Sequence, residues 1–166
     1  MTEADISEWA NFGVGVAGAT AALTGLLFVA VSINLDRILQ FRTLPRLAGA
    51  TLLMFSGALV SALLLLMPGQ APAALGTELV VIALGVGGPL VRLQTKTPRY
   101  EAGTTEVAWV LTRLLPSLLV SGLLAASGVT MWAEWSDALY LLGAGVTLAI
   151  VAGLVNSWVL LVEIQR

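Results

Sequence analysis

Five long apolar runs constrain the fold of this 166-residue chain more than any other feature. The runs cover residues 10–33, 47–67, 74–92, 107–129 and 138–162. A helix needs about 20 predominantly apolar residues to cross a hydrocarbon core of roughly 30 Å. Segments such as LVSALLLLM are apolar on every face, whereas the strands of an outer-membrane barrel alternate apolar and polar residues. We therefore predict an all-α bundle of five transmembrane helices, spans 1 to 5, which forms a single membrane domain over residues 1–166.

The composition excludes a soluble globular domain. Apolar residues make up 58% of the chain and charged residues 11%, whereas soluble domains average roughly 45–50% and about 25%. Eight basic and ten acidic side chains give a net charge of -2, which is too sparse and too balanced for nucleic-acid binding. We expect membrane lipids to surround the protein and no nucleic-acid partner.

The chain contains no Cys and no His. This excludes disulfides, thiol catalysis, imidazole acid–base chemistry and most haem and zinc sites. A GxSxG motif, a Walker loop and an HEXXH motif are also absent from the sequence, and its one lysine, Lys96, lies in a loop. We expect a non-enzymatic protein that uses no cofactor and no metal.

The basic residues predict the orientation in the membrane. Seven of the eight lie in alternate connections or at the C-terminus: Arg37, Arg42, Arg46, Arg92, Lys96, Arg99 and Arg166. The remaining connections and the N-terminal segment carry none. Because cytoplasmic loops are enriched in Lys and Arg, we predict an external N-terminus and a cytoplasmic C-terminus.

Span 1 carries a row of small residues. Gly13, Ala17, Ala21 and Gly25 recur at steps of four, and Gly18 lies beside them. Small residues let two helix backbones approach closely in a membrane. Similar residues occur in the other spans, so the row serves either packing within one protomer or an oligomer interface, for which span 1 is the first candidate.

Polar side chains from three spans are expected at the cytoplasmic side. Arg113 lies six residues after the predicted start of span 4, and Asn156 lies six residues before the predicted end of span 5. Both are therefore about 9 Å deep at 1.5 Å per residue. The candidate polar cluster consists of Asn34, Asp36, Arg113, Asn156 and Glu163. The sequence leaves three interpretations of Arg113 open. Its side chain extends to the lipid phosphates, or it pairs with Glu163 or Asp36, or it belongs to a substrate or ion site.

Prolines near this layer predict irregular helices. Pro116 has no amide hydrogen for the carbonyl of Thr112, and Pro89 likewise has none for that of Gly85. We expect spans 3 and 4 to bend in their cytoplasmic halves.

These features favour a protein that acts by binding itself or other membrane proteins through its helix faces. A small oligomeric channel or transporter is the first alternative, because Thr20, Thr24 and Ser32 fall near one face of span 1. A protein that binds anionic lipid headgroups through its basic loops is the second.

The segment from Gly18 to Leu39, GATAALTGLLFVAVSINLDRIL, resembles a group of small bacterial polytopic membrane proteins of unknown function. Their first helix ends in a similar FVAxSINLxRIL phrase, and some of them are described as modulators of a membrane-bound AAA protease. The chain lacks the seven-span plan of the better-known modulators, so no functional residue is carried over. The resemblance implies a location in the bacterial inner membrane. It also marks Ser32, Asn34, Asp36 and Arg37 as residues of interest.

Overall fold

The computed structural model describes residues 3–95 and 110–165, with side chains for 6–95 and 110–164. All regular secondary structure in these ranges is helical. Five helices in the described part are long and apolar enough to cross a membrane, which confirms the all-α prediction. These spans run Ala10–Ile33, Leu44–Leu65, Pro72–Thr95, Val110–Trp132 and Ala138–Gln165. Short helices at Glu3–Glu8 and Leu35–Gln40 flank span 1.

The observed helix ends differ from the predicted ones by up to three residues. Span 2 starts at Leu44 rather than residue 47, because Pro45 fits the first turn, where no amide hydrogen is needed. Span 3 continues to Thr95, beyond the polar side chain of Arg92. Span 4 ends at Trp132, and residues 107–109 of its predicted range lie outside the described residues. Apolar runs therefore locate the membrane-crossing part of each helix but not its last polar turn.

Spans 2 to 5 form a ring of four helices, and span 1 lies outside this ring. Span 2 packs on spans 3 and 5, and span 4 packs on the same two helices. Span 1 packs mainly against span 2. Only 17% of the residues in its most apolar stretch of 18 are buried, whereas 56% are buried in the corresponding stretch of span 2. Span 1 therefore presents most of its surface to the surroundings of the protomer.

Glycines determine how closely the helices of the ring approach one another. A Cβ atom built on Gly87 of span 3 would lie 2.7 Å from Oγ of Ser121 in span 4. A Cβ atom on Gly57 of span 2 would lie 3.1 Å from the Val86 side chain in span 3. Small residues of the ring are therefore used for packing within the protomer.

The two ends of the bundle differ in chemistry. We call one the basic end, since it holds Arg37, Arg42, Arg46, Arg92 and Arg113. The opposite end is aromatic. There Trp9 packs edge-on against Tyr140 with ring centroids 5.0 Å apart, and Trp132 Nε1 donates a hydrogen bond to the Ala73 carbonyl oxygen at 3.2 Å.

Candidate functional sites: a polar pocket and an exposed helix face

The backbone that carries Arg113 is an irregular helical turn. Val110–Leu114 forms a π-helical turn, and the α-helix of span 4 resumes at Leu115. Pro116 explains the irregularity, because it cannot donate the hydrogen bond that the Thr112 carbonyl would accept in an α-helix. Such turns are frequent at functional sites. Span 3, in contrast, remains α-helical through Pro89.

Four polar side chains from four different helices line a small pocket at the basic end. They are Arg46 of span 2, Gln94 of span 3, Arg113 of span 4 and Asn156 of span 5. The pocket has a volume of about 10 Å³, which is room for roughly one water-sized group. Arg113 is half-buried and lines this pocket, so its side chain faces the protein.

A hydrogen-bonded chain connects Gln94 to span 4. Gln94 Nε2 donates to Ser117 Oγ, and Ser117 Oγ donates to the carbonyl oxygen of Arg113 at 3.0 Å. Gln94 is only 6% exposed, and its Oε1 atom has no hydrogen-bond partner among the described residues. An unsatisfied buried acceptor costs about 1–3 kcal/mol. The pocket therefore contains an acceptor that is available to a donor group.

The remaining members of the predicted polar cluster are divided. Glu163 is exposed but lies close enough to Arg113 for an electrostatic interaction. Asn34 Nδ2 donates to the Ala30 carbonyl at 2.9 Å, and Asp36 is exposed. Neither Asn34 nor Asp36 lines the pocket, because span 1 lies outside the ring. The structure therefore brings together Arg113 and Asn156, with Glu163 nearby.

Sequence reasoning missed Gln94 as a pocket residue and treated Arg46 only as an orientation signal. Both lie within three residues of a helix end on the side that holds Arg113. This shared level was visible in the sequence. Which helices meet there was not, because it depends on the neighbour relations in the ring.

The row of small residues on span 1 lies partly against the protein and partly on its exposed side. A Cβ atom on Gly13 would lie 3.2 Å from the Leu66 side chain, and Ala17 packs against the core. Ala21 is exposed, and neither Gly18 nor Gly25 has an atom within 4 Å of an added Cβ. A step of four residues advances about 40° beyond a full turn. Three steps therefore carry the row about 120° around the helix, from span 2 to the outside.

The hydroxyl groups near that row bond within span 1 itself. Thr20 is fully buried and donates to the Val16 carbonyl at 2.6 Å. Thr24 donates to the Thr20 carbonyl at 2.7 Å. Such bonds to a carbonyl four residues earlier are the ordinary use of Thr in a membrane helix. These two side chains therefore give the channel interpretation no support.

Comparisons of the chain with protein-family models, with curated proteins and with solved structures found no significant match. The functional proposal therefore depends on the pocket and on the exposed face of span 1.

Proposed function

We propose that this chain is a non-enzymatic multi-pass membrane protein that acts through helix-face interactions, in the first place with a second copy of itself. The interface is the outward face of span 1, defined by Gly18, Ala21 and Gly25. The supporting observation is that this face is exposed and that added Cβ atoms on both glycines would meet nothing within 4 Å.

The use of glycine elsewhere in the protein supports this assignment. Gly57 packs against Val86, and a Cβ atom on Gly145 would lie 3.2 Å from Leu123. Because lipid gives helices little hydrophobic reason to associate, close packing at small residues supplies much of the attraction. The face of span 1 has the same composition but no partner helix within the described protomer, so it has room for the corresponding helix of another copy.

The proposal includes a location and an orientation. We place the protein in the bacterial inner membrane, with its basic end in the cytoplasm and its aromatic end outside. The clustering of five arginines at one end of the described bundle supports this orientation. A different membrane protein on the same face of span 1 is the alternative partner.

Disulfide cross-linking tests the interface directly, because the chain has no native cysteine. Ala21→Cys should form a covalent dimer under mild oxidation in native membranes. Leu84→Cys, which is exposed on span 3, is the matched control and should remain monomeric. Equal dimer yields from both variants would contradict a specific interface, and a cross-linked product of another mass would identify a different partner.

Bulky substitutions on the same face test the interface through the mass of the protein particle in detergent. Gly18→Leu and Gly25→Leu should shift the particle from dimer or larger to monomer in mild detergent, with helix content unchanged. Gly85→Leu introduces the same bulk at an open glycine of span 3 and should leave the mass unchanged. An unchanged mass in both span 1 variants would refute the proposed interface.

A further inference from the structure

An apolar crevice opens between spans 4 and 5 in the half of the bundle near the basic end. It has a volume of about 240 Å³, and its lining includes Met54, Thr112, Pro116, Val151, Ala152 and Val155. Met54 of span 2 is only 1% exposed, whereas Val151 and Val155 are 52% and 57% exposed. The crevice therefore has a buried apolar floor and walls that face the surroundings of the bundle.

The crevice arises because spans 4 and 5 pack closely at one level and separate at another. In the half of the bundle nearer the aromatic end they touch, since a Cβ atom on Gly145 would lie 3.2 Å from Leu123. Toward the basic end span 4 contains the π-helical turn Val110–Leu114. This turn is wider than an α-helical one, and both Thr112 and Pro116 line the crevice.

Asn156 connects this crevice to the polar pocket, because its side chain lines both. Arg46 and Arg113 line the pocket, and Glu163 is the nearby carboxylate that interacts with Arg113. Among the described side chains at this pocket, two guanidinium groups and one carboxylate leave an excess of one positive charge. A site with an apolar crevice, an adjoining polar pocket and a positive charge matches an anionic amphiphile.

We propose that this composite site binds one anionic glycerophospholipid. One acyl chain occupies the crevice between spans 4 and 5, and the phosphate lies at the mouth of the pocket against Arg46 and Arg113. The pocket itself admits only a group of about the size of a water molecule. A headgroup hydroxyl fits this space and donates a hydrogen bond to Oε1 of Gln94, which accepts none from the described residues. Basic pockets between transmembrane helices are known to hold anionic headgroups.

Native mass spectrometry of the purified full-length protein tests this site. The probes are phosphatidylglycerol and phosphatidylcholine with identical acyl chains, supplied in equal amounts. We expect one retained phosphatidylglycerol per protomer, with a preference of about tenfold over phosphatidylcholine. Both lipids carry the phosphate, but the choline cation is repelled by Arg46 and Arg113 and has no hydroxyl to donate to Gln94. Equal retention of both lipids would overturn the proposal.

Two pairs of variants separate the headgroup from the acyl chain. Arg113→Gln should reduce the roughly tenfold preference for phosphatidylglycerol, because it removes one of the two positive charges that repel choline. Arg92→Gln changes an exposed arginine at the same end and should leave the preference unchanged. Val155→Phe should reduce retention of both lipids by filling the crevice, whereas Val81→Phe, exposed on span 3, should not. The proposal would be overturned if both arginine variants lost the preference for phosphatidylglycerol equally, or if Val155→Phe retained both lipids fully.

Three further measurements make the outcome decisive. Circular dichroism and size-exclusion chromatography establish that each variant is folded. If Arg113→Gln does not fold, Val155→Phe decides the result, because it changes no charge.

Gln94→Leu should lower the preference for phosphatidylglycerol over phosphatidic acid, whose headgroup has no glycerol hydroxyls. An unchanged preference would refute the hydroxyl contact. Inorganic phosphate should not displace the bound lipid, and displacement would show that the site recognises phosphate alone.

Discussion

Gly76 of span 3 and Gly128 of span 4 face each other so closely that a Cβ atom on Gly76 would lie 2.6 Å from the Gly128 carbonyl oxygen. Gly87 and Ser121 repeat this close approach nearer the basic end. Spans 3 and 4 are thus in backbone contact at Gly76 and Gly128, and the Gly87 backbone meets the Ser121 side chain about three turns further along span 3. Such contacts depend on the absence of a side chain at each glycine.

Gly128→Ala should lower the stability of the protein. The new methyl group would meet the backbone of Gly76 and the Val80 side chain, and overpacking of this kind costs about 1–3 kcal/mol. Thermal unfolding in detergent, followed by circular dichroism, measures the effect.

Gly88→Ala is the matched control for this substitution, because an added Cβ there meets nothing within 4 Å. Alanine is favoured over glycine inside a helix by about 1 kcal/mol, so this variant should be equally stable or slightly more stable. If Gly88→Ala has a lower thermal unfolding midpoint than Gly128→Ala, the close contact between Gly76 and Gly128 is contradicted.

The proposed orientation predicts the accessibility of single cysteines. Ser136→Cys lies at the aromatic end and Gln40→Cys at the basic end, and both positions are exposed. In intact cells an impermeant maleimide should label Ser136→Cys and should label Gln40→Cys only after the membrane is permeabilised. The reverse pattern would invert the orientation.

The number and type of helices were predictable because hydrophobicity is a local property of the chain. Each span contains enough apolar residues to identify it without knowledge of its neighbours. The common depth of Arg113 and Asn156 was also predictable, because the number of residues to the end of each span determines it.

The neighbour relations of the helices were not predictable. Asn34 and Asp36 lie at the expected end of the bundle but outside the pocket, because span 1 packs outside the ring of spans 2 to 5. The row from Gly13 to Gly25 likewise contacts span 2 at one end only. Depth and periodicity give the level and the face of a residue, whereas the partner of that face depends on the packing of the whole bundle.

The interior of the ring predicts that the protein does not conduct ions. Met54, Leu79 and Leu124 fill it and are at most 1% exposed, and the buried Thr51 hydroxyl bonds to the Leu47 carbonyl at 2.8 Å. Proteoliposomes should therefore show no flux of K⁺, Na⁺, H⁺ or Cl⁻ above that of empty vesicles. Reproducible flux that Arg113→Ala abolishes would favour the channel or transporter alternative.

The interaction between Arg113 and Glu163 predicts a measurable coupling of the two side chains. Arg113 is half-buried and Glu163 is exposed, so the pair should behave as a partly exposed ion pair, worth up to about 1 kcal/mol. Arg113→Ala, Glu163→Ala and the double variant form a thermodynamic cycle that thermal unfolding in detergent can measure. The double variant should lose less stability than the sum of the single losses. Strictly additive losses would show that Arg113 is stabilised by its pocket alone, and a larger coupling of about 3–5 kcal/mol would show that the pair is buried in the membrane-embedded protein.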